Sequence, residues 1–175
     1  MIKKPERIIK RIIKASGERQ SILLIGSWTN ELISGIKEKH NSITYNDDHA
    51  QILPFVDNSF TKIVADYSSP IFDDNAMFFK EIRRLLLPTG MIIISANCDG
   101  WIFERLGKFF KKNNVNEDSV KKIKPKVLQD QIHDNGFLID GYYGYPDGHL
   151  LMMAEIQNKE VTTLFSSERQ ETIIN

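Results

Sequence analysis

Apolar residues in this chain fall into two rhythms, short unbroken runs and longer stretches with helical spacing. Ile8, Ile9, Ile12 and Ile13 recur among Lys and Arg and predict an amphipathic first helix. Residues 21–25 (SILLI) form a nearly continuous apolar run ending at Gly26, the pattern of a strand buried on both faces. Leu32, Ile33 and Ile36 place a helix over 29–39. A second strand follows at 42–46 (SITYN), leading into Asp47-Asp48. A third, at 60–65 (FTKIVA), ends at Asp66. Asp73-Asp74 offers an N-cap to a helix bearing Phe78, Ile82, Leu85 and Leu86, stopped by Pro88 and Gly90. Residues 91–95 (MIIIS) predict another buried strand. The stretch 97–124 suggests a helix with Trp101, Ile102, Leu106 and Phe109, then a polar linker over 113–122. Pro125 opens a further helix carrying Val127, Leu128 and Ile132, with Gly136 as its terminator. Residues 137–143 and 149–156 are the last two strands, joined by a Pro146-Asp147-Gly148 turn.

Strands that alternate with helices and end in a closing strand pair argue for an α/β fold. The expected form is an open, mostly parallel sheet with helices on both faces and an antiparallel C-terminal pair. At 175 residues the chain is read as a single domain over 1–157, with 158–175 a polar, mobile tail.

Composition removes several function classes. Hydrophobic residues make up 41% and charged residues 26%, ordinary for a globular protein. No apolar run reaches the length of a membrane span and no signal peptide opens the chain, so a cytoplasmic location is expected. The single cysteine, Cys98, excludes an internal disulfide and a cysteine-rich metal site. His40, His49, His133 and His149 are scattered with no ligand-like spacing, so no metal is expected.

Net charge is zero, yet residues 1–20 carry +5 and the remainder −5. A helix of this kind can lie on anionic lipid or nucleic acid. It can equally pack its isoleucines on the sheet with the cations in water. The second reading is preferred because one short basic helix is common in such domains. Neither a nucleic-acid partner nor a membrane surface is expected.

The block Leu53-Pro54-Phe55-Val56-Asp57-Asn58-Ser59-Phe60, then Glu81-Ile82-Arg83-Arg84-Leu85 and Pro88-Thr89-Gly90, narrows the field. It resembles the LPF-x-D-x-S-F … E-x-x-R-x-L-x-P-G-G signature of class I S-adenosylmethionine (SAM) methyltransferases of the quinone-methylase type. The resemblance extends from about Ser21 to Ile156 and implies a Rossmann-like methyltransferase sheet. The family's helix–strand unit between the second strand and LPF is missing here, since only residues 49–52 separate Asp48 from Leu53. The resemblance therefore implies a sheet shortened by one unit.

Open α/β sheets bind ligands at the carboxyl ends of their strands, beside the topological switch point. There the family ends its first strand in an acidic residue followed by three loop glycines. Here Leu24 stands at the acidic position, Gly26 at the first glycine, Trp28 at the second and Asn30 at the third, with Ser27 between. Asparagine tolerates the left-handed region that such a loop uses. Trp28 has two readings, a lid stacking on a flat ligand or a packing residue in a closed pocket. Asp47 lies 21 residues after Gly26, where the family holds the ribose hydroxyls, although Asp-Asp is also an ordinary turn signal. His49-Ala50 falls where the family has an Asp-Ala pair at the adenine edge, and Asp66 where members face substrate. No general base is recognisable.

Two readings follow. One is a degenerate methyltransferase-like protein, a pseudoenzyme with weak or no SAM binding, serving as a binding or scaffold module for a protein partner. The other is an active SAM-dependent methyltransferase acting on a small molecule. A homo-oligomer is compatible with either.

Overall fold

The computed structural model describes residues 6–17, 19–26, 28–45, 52–67, 75–98, 122–145 and 148–157. In chain order the elements are α1 (Glu6–Ser16), β1 (Ser21–Ile25), α2 (Asn30–Lys37), β2 (Asn41–Tyr45), β3 (Phe60–Asp66) and α3 (Asn75–Leu85). Then come β4 (Leu86–Cys98), β5 (Lys122–Ile123), α4 (Pro125–Asp134), β6 (Phe137–Gly144) and β7 (His149–Ile156).

The sheet runs β2-β1-β3-β4-β7-β6, with β5 added to β4. β2, β1, β3, β4 and β5 are mutually parallel, and β7 lies antiparallel between β4 and β6. This is the expected α/β sheet with its antiparallel C-terminal pair. β2 is the outer strand, so its chain side away from β1 meets no further described strand. The exposure of Ile43, at 47%, marks that border.

Alternation along the strands sends side chains to two faces. Leu23, Ile63, Ile92 and Met152 meet Phe79, Ile82, Leu128 and Ile132 of α3 and α4 on one. Ile22, Leu24, Val64 and Ile93 meet Ile8, Ile9 and Ile12 of α1 and Leu32 and Ile36 of α2 on the other. The basic first helix thus packs Ile8, Ile9 and Ile12 on the sheet, each no more than 2% exposed, with Ile13 partly buried beside them. Lys62 Nζ donates to Ala15 O at 2.7 Å, placing a cation against the carbonyl end of α1, where the helix dipole favours it.

Two boundaries differ from expectation by more than a shift at an element end. α3 ends at Leu85, and Leu86, expected on its apolar face, opens β4 instead. Leu86 pairs with Phe60, and Ser59 N donates to Leu85 O, so the sheet takes the chain before Pro88 is reached. The ladder then shifts register, and Gly90 sits in the resulting crowding. A Cβ there would lie 2.8 Å from Leu87 O and 2.9 Å from Leu86 Cδ2. Gly90→Ala is expected to lower stability by about 1–3 kcal/mol, since backbone cannot yield as a side-chain tip can; a denaturation midpoint matching wild type would refute this. Second, Lys122, expected in the linker, pairs with Asn97 as part of β5. Gly136, with φ +77, ends α4 as expected. The helix around Trp101, the Asp73-Asp74 cap, Pro146-Asp147 of the turn and the tail 158–175 lie outside the described residues.

Candidate functional site

β1 leads through α2 to β2 on one face, whereas β3 leads through α3 to β4 on the other. The connections part between β1 and β3, which puts the switch-point crevice at Gly26 and Asp66. Gly26 adopts φ +98, open only to glycine without strain, as the chain turns off β1.

Trp28 follows that turn and takes the packing placement of the two open from sequence. It is 5% exposed and belongs to the cluster beneath α1 and α2. Its indole Nε1 donates to Ile25 O at 2.9 Å, so the loop is pinned to the end of β1 by its own side chain. Leu24, at the family's acidic position, is fully buried in the same cluster. Asn30 is the first residue of α2 and exposed, with Thr29 as the N-cap whose side chain accepts from Leu32 N. The left-handed conformation that asparagine tolerates is therefore not used at this position.

Asp66 closes β3 at 5% exposure, beside Ser95 of β4 in the ladder. The next residue, Tyr67, is buried, and its hydroxyl lies 3.1 Å from Gln131 Oε1 on α4. Asp66 thus ends β3 at the crevice, one residue past the last pair with β1 and still paired with β4. Ser27, Asp47, His49 and Ala50 lie outside the described residues. Among the described residues no group of His, Cys, Asp or Glu could hold a metal ion, and no helix is long and apolar enough to cross a membrane.

The signature block sits elsewhere. Leu53–Ser59 precedes Phe60, which begins β3, and Glu81 and Arg84 precede Leu86, which begins β4. The block therefore meets at the amino-terminal edge of the sheet, opposite the crevice. Arg84 donates to Glu81 Oε2 (2.7 Å), Asp57 Oδ1 (2.6 Å), Phe55 O (2.8 Å) and Leu53 O (3.0 Å). Glu81 Oε2 in turn accepts from Leu53 N at 3.1 Å. Asn58 takes φ +53, and its N–H reaches Arg84 O. Phe55 stands edge-on to Phe60. The Arg84 hydrogen bond, above all, holds the Glu81 carboxyl below the usual carboxylate range, against the opposing push of burial. Glu81 and Asp57 raise the Arg84 guanidinium above its ordinary value. This is a clamp that fixes a loop to a helix end, and it holds no group towards the crevice.

A methyltransferase-domain family model matches residues 28–94. A SAM-dependent methyltransferase from Aquifex aeolicus superposes with a TM-score of 0.58 over 87% of this chain and 94% of that one, at 13% identity. The chain has the fold of the class I SAM-dependent methyltransferases. The 1,6-didemethyltoxoflavin-N1-methyltransferase of Burkholderia thailandensis, solved with bound 1,6-didemethyltoxoflavin and S-adenosylhomocysteine, superposes with a TM-score of 0.61. The match covers 87% of this chain and 78% of that one, at 14% identity. An Escherichia coli protein, YafE, of uncharacterised function, is 34% identical over 53 residues, 30% of this chain. That match spans about a quarter (26%) of the relative's length. Against this methyltransferase background, the methionine end of SAM finds no fit of the family's kind among the described residues. The acidic position is Leu24, within the core, and the second glycine is an indole tied to the strand end.

Proposed function

We propose that this chain is a methyltransferase-like module that binds SAM weakly or not at all and acts in the cytoplasm through a protein partner. The observation that carries this reading is the Trp28 indole, buried and bonded to Ile25 O, in the loop where the fold ordinarily presents bare backbone to the cofactor. Leu24 supports it, because a buried leucine supplies no acceptor for the cofactor's ammonium group.

A second reading has one observation in its favour. Asp66 is a buried carboxylate at the switch point, one strand over from Leu24, and in an active small-molecule methyltransferase it would stand in for the missing acid.

Calorimetric titration with SAM and with S-adenosylhomocysteine separates the two. The proposal expects no binding tighter than about 1 mM to either ligand on folded protein. Micromolar binding that Asp66→Asn or Asp47→Ala removes would overturn it and establish the second reading.

A further inference from the structure

α1 leads into β1 through a short turn, and its last carbonyls meet Lys62 near the start of β3. Its other end meets Tyr145, just past the carboxyl end of β6. The helix therefore crosses one face of the sheet from the crevice edge to the opposite edge. With Ile8, Ile9 and Ile12 turned inward, its outer side carries two rows of cations. Arg7 and Arg11 form one, Lys10 and Lys14 the other, each pair one helical turn, about 6 Å, apart.

Residues distant in sequence complete both rows. Arg11 lies over the Tyr143 ring at 3.9 Å and Arg7 over Tyr145 at 5.1 Å. The tyrosine rings hold the two guanidinium groups against the protein as cation–π partners. On the other side, Lys10, Lys14 and Lys39 line an open cleft with Ile13 and Gly17. Glu6 pairs with Lys10 and Glu31 of α2 lies within its electrostatic reach, so this surface carries five cations against two carboxylates.

We propose that this surface binds single-stranded nucleic acid through its phosphates. The sequence alone points to no such partner, because one basic helix is ordinary. The added observations are the third lysine across the cleft and the two tyrosines that hold Arg7 and Arg11 beside it, which together make a cationic surface flanked by aromatic rings. Charge complementarity selects a polyanion. A lipid surface fits less well, because an interfacial helix must bury its apolar side in the bilayer, and here that side is spent on the sheet. The groove is separate from the switch-point crevice, and the inference holds whether or not SAM binds.

The test is fluorescence anisotropy of a labelled, mixed-sequence single-stranded RNA of about twelve nucleotides, without SAM, across a salt series. Binding is expected at low salt, with a slope of log K against log salt of about −2, as for three neutralised phosphates on a single strand. Lys14→Glu combined with Lys39→Glu should weaken it at least about tenfold. Glu6→Gln should tighten it by releasing Lys10, and Lys126→Glu on α4 should leave it unchanged. No anisotropy change at low salt, a double variant that binds as wild type, or sedimentation with phosphatidylserine vesicles in the absence of RNA binding would each overturn the proposal.

Discussion

Trp28→Ala is expected to cost about 3–5 kcal/mol of stability, the range for emptying a large aromatic site in a close-packed core. The indole is 5% exposed among Ile8, Leu24 and Leu32, and its Nε1 hydrogen bond at 2.9 Å would go with it. The loss should appear as an earlier denaturant midpoint with little change in any SAM titration. A lid residue would behave in the opposite way. It would leave stability within about 0.5 kcal/mol of wild type, as surface changes do, and alter ligand affinity instead. One pair of measurements therefore decides what the tryptophan is for.

Breaking the Arg84 clamp should be nearly as damaging. Arg84→Ala leaves Glu81, whose side chain is 10% exposed, without its cation, and strips Leu53 O and Phe55 O of their donor. Removing one partner from a largely buried pair costs about 3 kcal/mol or more, because the remaining charge stays desolvated. The Asp57 branch adds little, since that carboxylate is 65% exposed. The pH dependence has a definite sign. Glu81 has a depressed folded pKa, chiefly from Arg84, so its stabilising effect is complete above the unfolded value of about 4.3. It is lost as pH falls through the folded value. Glu81→Gln should therefore be less stable than wild type at neutral pH and converge with it in acid. A constant difference down to about pH 2 would show that the carboxylate charge is not the source.

The sheet was legible because its strands are short apolar runs bounded by Gly26, Asp66 and Gly136, and such runs leave few alternatives. What could not be read was direction. Periodicity places Trp28 after a strand but does not say whether its indole turns to the crevice or to α1. That depends on Ile8, Ile12 and Met153, which are far off in sequence. The start of β4 was hidden for a related reason. Leu86 fits the α3 spacing, and only its ladder partner Phe60 draws it into the sheet. β5 is two residues long, too short for any pattern. The signature motif was visible and speaks for the fold more than for chemistry, and Arg84, Glu81 and Asp57 bind one another at the edge away from the crevice. The charge on α1 was plain in the sequence, but Lys39, Tyr143 and Tyr145 join it only through the fold.

The two outer strands differ in how they would meet a foreign chain. At β6 the ladder slips between Ile139 and Gly141, leaving the exposed Asp140 as an extra residue that kinks and charges the edge. Such features discourage another strand from adding on. β2, Asn41–Tyr45, has an even register with β1 and carries neither proline nor charge. Crowding, heat or over-expression should accordingly recruit self-association at β2 first, and a lysine in place of Ile43 is the smallest change that would guard it.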